Sequence, residues 1–145
     1  MLSGTVLGLD AGTVRVGLAA SDPTGTLASP VAVLARAMPA RLWERVRREA
    51  AERGATTIVV GLPRNMNGGE GDAAVAARAL AAEAAHETGL PVELWDERLS
   101  TVEAERHLIA SGTRRRERRE RIDAVAAAVV LQAFLDSRRL RAARP

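Results

Sequence analysis

The sequence predicts an α/β fold: a mixed five-stranded sheet with helices on both faces, in the order βββαβαβαα. Three observations carry this. Three short apolar runs with strand character precede any helical pattern, which implies an antiparallel start. Two further strand candidates then alternate with helical stretches, so the sheet becomes mixed. The 145 residues, 47% of them hydrophobic, suit one domain over 1–145 with a single core, and no repeat or internal boundary interrupts it.

The first run, Thr5-Val6-Leu7-Gly8-Leu9, breaks at Asp10-Ala11-Gly12-Thr13 and resumes from Val14 to Ala20, the pattern of a hairpin. Leu27 to Leu34 gives a third strand, and Pro30 within it assigns it to an edge. Ala40 to Arg53 carries Leu42, Val46 and Ala50 at helical spacing and stops at Gly54. Thr56 to Gly61 is a fourth strand, and Asp72 to Thr88 is an alanine-rich helix. Gly89-Leu90-Pro91 ends that helix and leads into a strand that delivers Asp96 and Glu97. Ser100-Thr101-Val102-Glu103 has a capping-box pattern and opens a helix reaching about Ala110. An arginine-rich link then separates it from a last helix over Ile122 to Leu135.

Composition removes several classes of function. Aromatics make up 2%, too few for a base-stacking platform. There is no cysteine, hence no disulfide and no thiolate metal site. No apolar leader and no apolar run of about 18 residues appears, so a cytoplasmic protein without membrane attachment is expected. Charge is unevenly spread. Residues 114–121 hold six arginines, Arg114, Arg115, Arg116, Arg118, Arg119 and Arg121, against two glutamates, an excess of four on a chain whose net charge is +3. Every cationic residue is arginine, and such a cluster suits phosphate; the alternative is a solvated helix face with Arg–Glu pairs three and four apart.

Three acids stand at the ends of apolar elements. Asp10 closes the first strand, and Asp96 or Glu97 closes the last one. Asp123 shares a helical stripe with Ala126, Ala127, Val130, Leu131 and Phe134, so it is expected to face the core. Ionised carboxylates placed that way are costly unless cations or donors meet them: two unit charges ~4 Å apart repel by about 4 kcal/mol at an effective dielectric near 20. Oxygen-only donors suit Mg²⁺ or Mn²⁺.

Each motif has a plainer reading. Asp10-Ala11-Gly12-Thr13 is also a common hairpin joint, and it resembles the phosphate loop of sugar-kinase, Hsp70 and actin ATPases, which need two lobes and more chain. Asp96 and Glu97 point to opposite faces if the strand continues, and spacing does not choose between them; either could instead pair with Arg98 or sit at a helix N-terminus. Asp123 could be an N-cap. The glycine-rich loop 61–71 could approach a phosphate through its amides, yet it lacks a P-loop ending, and Glu70 and Asp72 would repel an anion. His86 and His107 read as surface residues, Ser100 and Thr101 as caps, and Trp43 and Trp95 as core or its margin.

Four blocks together resemble the YqgF/RuvX family of RNase H-like proteins over nearly the whole chain. They are Leu9-Asp10-Ala11-Gly12 with Arg15-Val16-Gly17 and Ser21-Asp22; Gly61-Leu62-Pro63 with Asn65-Met66 and Gly68 to Gly71; Asp96 to Thr101; and Ile122-Asp123 with Ala126-Ala127 and Leu131-Gln132. Asn67 and Gly69 stand where Asp and Ser are common in the family, and Ser100 where Thr is common. The resemblance implies metal-dependent endonuclease chemistry, described for the family both as resolution of Holliday junctions and as maturation of the 5′ end of pre-16S ribosomal RNA. It favours Glu97 over Asp96, so that Asp10, Glu97 and Asp123 would hold two Mg²⁺ or Mn²⁺ ions. Arg15, Arg98 and the 114–121 cluster would then hold structured RNA or branched DNA. A symmetric junction asks for a dimer, whereas a monomer can trim a leader. The rival expectation is a nucleic-acid-binding or transcription-associated module whose acids do not support catalysis.

Overall fold

The computed structural model describes residues 4–12, 14–65, 67–99 and 115–142, with the side chains of 115–123 outside that description. Five strands form one sheet: β1 (Thr5–Ala11), β2 (Arg15–Ser21), β3 (Ala28–Ala35), β4 (Ala55–Leu62) and β5 (Val92–Asp96), in the spatial order β3-β2-β1-β4-β5. β1 pairs antiparallel with β2, from Leu7↔Ala20 to Ala11↔Val16, and the turn is closed by the Gly12 N–H donating to the Arg15 carbonyl at 2.8 Å. β3 continues the antiparallel half and is an edge, as Pro30 required. β4 and β5 add in parallel on the other side of β1, each reached by a helical crossover.

α1 (Pro39–Arg53) and α2 (Asp72–Thr88) cover one face of the sheet. Leu42, Trp43 and Val46 of α1 and Ala74, Ala77, Leu80 and Ala84 of α2 pack there against Leu7, Leu9, Val16, Leu18, Ile58 and Val60. α1 stops where Gly54 takes φ 64° and returns its N–H to Ala50 and Ala51, a conformation that a Cβ would strain. The opposite face is covered by α3 (Arg115–Ala142), whose Ala127, Val130, Leu131, Phe134 and Leu135 meet Val6, Ala19 and Val59. Strand alternation therefore divides the core: odd residues of β1 face α1 and α2, and even ones face α3.

One expectation changes. The arginine-rich segment is not a link from residue 115 onward, because Arg115–Ala142 is helical and unbroken through Ile122; arginine and glutamate are good helix formers and nothing between them breaks the helix. The last strand ends at Asp96, as its apolar run does, and Glu97–Leu99 turn as a 3₁₀ segment. The helix expected over Thr101 to Ala110, with its Ser100–Glu103 cap and His107, lies outside the described residues. No helix among the described residues is long and apolar enough to cross a membrane.

Candidate active site

β1, β4 and β5 run parallel, so their carboxyl ends meet at one edge of the sheet, where ligands of open α/β sheets gather. Asp10 stands at that edge on the α3 face and is only 1% exposed. Its surroundings explain how a carboxylate fits there. Gly8 precedes it by two on the same face, Gly17 is its cross-strand partner, and Gly61 follows Val60, the β4 partner of Leu9. These three neighbouring sheet positions carry no side chain, and Asp10 rises beside a floor of glycines.

Glu97 completes the edge from β5. Its Oε2 lies 2.8 Å, and its Cδ 3.2 Å, from the point where a Cβ at residue 61 would stand, and a methyl of Val130 is 3.2 Å from the same point. The Glu97 carboxylate therefore fills the space left by Gly61, one strand spacing (~4.8 Å) from the Asp10 strand. Both Asp10 and Glu97 are engaged in polar interactions. Spacing left Asp96 and Glu97 as alternatives; the Glu97 carboxylate lies over Gly61 on the α3 face with Asp10, whereas Asp96, paired with Leu62, lies on the α2 face.

Asp96 is occupied by arginine. The Arg98 N–H donates to Asp96 Oδ1 at 3.0 Å, Arg98 Nε lies 3.1 Å from both carboxylate oxygens, and Nη2 donates to Oδ2 at 2.7 Å. Arg64 approaches the same carboxylate at 3.9 Å and Glu70 at 3.4 Å, while Arg78 grips Glu70 through two bonds of 2.7 and 2.6 Å. These charges tie the end of β5 through the 63–71 loop to α2. The Arg98 hydrogen bond holds the Asp96 carboxyl below its ordinary pKa, and the Arg78 hydrogen bond does the same for Glu70. Asp96 in turn raises the Arg98 guanidinium. The loop is further closed by Asn65 N–H to Gly69 O and Gly68 N–H to Asn65 O, both 2.9 Å. Glu70, read from sequence as a repeller of anions, is here neutralised by two arginines.

The remaining expected residues divide. Arg15 opens β2 on the Asp10 face, and its guanidinium has no hydrogen-bonded or paired partner among the described residues. Arg98, expected to hold a nucleic-acid strand, is turned onto Asp96. Arg114 lies outside the described residues; Arg115, Arg116, Arg118 and Arg119 are in α3, with side chains outside the description. Asp123 is likewise placed by its backbone alone, two helical turns (~10 Å) before Val130. The direction of α3 is informative. Its C-terminal half docks at the far end of the sheet, where Gln132 bonds Ala28 N and Thr26 O and Arg138 reaches Gly25, so its N-terminal turns run toward the Asp10 end. Among the described residues no three acidic or histidine side chains converge. His86 is exposed, as expected, and the Trp95 ring packs edge-on to Phe134 at 6.1 Å in the α3 core.

Sequence reasoning passed over the glycine floor and Arg36. The signal for the first was present, since Gly8, Gly17 and Gly61 all interrupt apolar strands where glycine weakens packing. Arg36 donates to the Gly12 carbonyl at 3.0 Å and so braces the turn that follows Asp10; its position after β3 gave no sign of this.

Comparison with known proteins fits this geometry. A family model described as "RuvX: Holliday junction resolvase" matches residues 4–137. A protein of Pelotomaculum thermopropionicum is 47% identical over 133 residues, 91% of this chain and 86% of the relative. One from Geobacillus thermodenitrificans is 49% identical over 135 residues, 92% and 98% of the two chains. Both are named "Putative pre-16S rRNA nuclease". Among solved structures, T. thermophilus RuvC in complex with a Holliday junction substrate superposes with a TM-score of 0.54 at 18% identity, over 93% of this chain and 96% of that one. The sheet order, the helix layers and that superposition give the RNase H-like fold that the resemblance implied. With almost its whole length matched, the chain belongs to the RuvX Holliday junction resolvase family.

Proposed function

We propose that this chain is a divalent-metal-dependent endonuclease that hydrolyses phosphodiester bonds in structured RNA, processing the 5′ end of pre-16S ribosomal RNA. The observation that carries the reading is the buried Asp10 carboxylate on its glycine floor with Glu97 seated over Gly61. The names of the relatives favour the RNA; the description of the family model favours a four-way DNA junction as a second substrate.

The donor set fits Mg²⁺ or Mn²⁺: Asp10 and Glu97 offer carboxylate oxygens on one face, and the chain has no cysteine to offer a softer ligand. Asp10 and Glu97, with Asp123 of α3, would hold the metal, which when bound supplies positive charge for a developing oxyanion and lowers the pKa of water. The protein's own groups do the rest. Burial and strand pairing fix the Asp10 carboxylate, so little reorganisation is needed when charge develops. Arg15 offers a guanidinium at the same sheet edge. The arginines of α3 stand in the helix's first turns, where the macrodipole disfavours cations by about 0.3–1 kcal/mol each, a cost that binding a polyanion would offset.

The test is cleavage of a labelled pre-16S leader RNA and a four-way DNA junction, side by side, with Mg²⁺ or Mn²⁺. Asp10→Asn is expected to abolish cleavage of the RNA while keeping the fold and most binding. Wild-type turnover in that variant would refute the reading, and binding without any cleavage by wild type would support a non-catalytic module.

A further inference from the structure

We infer that Asp96 is a positioning residue for Glu97, acting through Arg98, and that Arg98 is the clasp of this device and not a contact to the nucleic-acid strand. The inference rests on the nuclease reading above.

The geometry has three parts. Asp96 is the last paired residue of β5, opposite Leu62, so its backbone is fixed by the sheet. Its Oδ1 accepts the main-chain N–H of Arg98 at 3.0 Å, which closes a short ring with Glu97 inside it. The Arg98 guanidinium then folds back on the same carboxylate through Nε and Nη2. Between them these contacts set the backbone on both sides of Glu97, and they determine that its carboxylate leaves on the opposite face, over Gly61. Arg64, Glu70 and Arg78 anchor the clasp to α2, and Arg98 Nη1 is 3.8 Å from where a side chain at Gly68 would begin. Charge-assisted bonds of this fork-on-carboxylate kind are directional. They also use both Asp96 oxygens, which leaves that acid poorly suited to hold a cation and the Arg98 fork poorly suited to hold a phosphate.

The experiment uses the full chain. Asp96→Ala is expected to lower kcat on the leader RNA by roughly ten- to a hundred-fold, the effect of displacing a reacting group by up to about 1 Å, with metal-free RNA affinity changed less than about two-fold. Asp96→Asn keeps an acceptor for the Arg98 N–H but loses the charge-assisted clasp, and Arg98→Gln keeps the same N–H contact and loses the same clasp, so both are expected to fall between wild type and Asp96→Ala in rate. Arg98→Gln should also keep the wild-type slope of log affinity against log salt. Equal losses in Asp96→Ala and Asp96→Asn would make Asp96 a direct ligand and overturn the inference. A slope smaller by about 0.7–0.9 in Arg98→Gln would also overturn it, since that is one phosphate contact. The Arg98 Nε–H resonance reads the clasp without activity: it should be protected from exchange in wild type and lose protection in Asp96→Ala, with the Glu97 amide shifting at the same time. An unprotected wild-type resonance or an unmoved Glu97 amide overturns the inference. If wild type cleaves neither substrate, the nuclease reading has failed while the resonances still decide the clasp.

Discussion

Gly61→Ala separates the candidate site from the fold with a single methyl group. Gly61 is buried in β4 at a negative φ, so alanine can adopt its backbone, and the loss of unfolded-state freedom should stabilise by about 0.4–1 kcal/mol. Against this, the new Cβ would stand 3.2 Å from a Val130 methyl and 2.8 Å from Glu97 Oε2. The Val130 contact needs a shift of a few tenths of an ångström, at the low end of the ~1–3 kcal/mol that overpacking costs, so the net stability change should stay within about 1 kcal/mol. The Glu97 contact does not relax so cheaply in function. To regain an ordinary 3.4 Å the carboxylate must retreat by 0.6 Å, directly off the edge it shares with Asp10. If a misplacement of about 1 Å costs ~100-fold, this one should lower kcat by roughly ten-fold or more. The assay pairs urea unfolding with single-turnover cleavage of the leader RNA. Wild-type kcat in a folded Gly61→Ala protein would refute the placement of Glu97 in the reaction, and a stability loss above about 3 kcal/mol would show that the packing argument is wrong.

Gly8→Ala is the counterpart: its Cβ meets Leu131 Cβ at 2.9 Å and the Ala127 carbonyl at 3.2 Å, neither the end of a flexible chain, so α3 must lift and urea unfolding should show a loss of about 1–3 kcal/mol. Glu49, nearly buried on α1, is held below its ordinary pKa of 4.5 first by the Arg53 hydrogen bond and then by Arg45. A depressed folded pKa gives stability that is present above about pH 4.5 and lost as pH falls through the lower folded value, so Glu49→Gln should cost about 1 kcal/mol at pH 7 and progressively less below pH 4.5 in thermal unfolding. Replacing Arg114, Arg115 and Arg116 by glutamine should reduce the salt slope of RNA binding by roughly 2–3; an unchanged slope would return that stretch to a solvated helix face.

Much of the fold was legible because each element carried its own period and its own stop. Pro30 gave the edge strand, Gly54 and Gly89 ended helices, and the Asp10–Thr13 break gave the hairpin. The arginine stretch was misjudged as a link because charge density was read as a sign of a connection, when alternating Arg and Glu propagate a helix as well as alanine nearly does. In the site, Asp10 was visible at a strand end, but two of the three glycines beside it, Gly17 and Gly61, lie on other strands and become neighbours only through register. The Asp96 and Glu97 ambiguity had the same origin. Parity separated the two faces, but only the positions of α2 and α3 say which face carries arginines and which carries Asp10.

That division of faces bears on how one small chain could gather a polyanion at a site built from carboxylates. Asp10 and Glu97 repel phosphate, so affinity has to come from cations placed elsewhere, yet those cations must not fill the carboxylates themselves. Distance along α3 meets both demands for its first arginines. Arg115 and Arg116 precede Asp123 by eight and seven residues, about 10–12 Å of helix, which exceeds the ~8 Å screening length at physiological ionic strength, whereas Arg119 and Arg121 are within about 6 Å of helix from it. The first two can draw in a strand while contributing little field there. Two closer cations are treated differently: Arg98 is committed to Asp96 and Arg36 to the Gly12 carbonyl, so each is spent on geometry, and Arg15 is left to face the strand. On this view the long helix is as much a part of the site as the sheet edge, because it fixes how far the attractive charge stands from the acids.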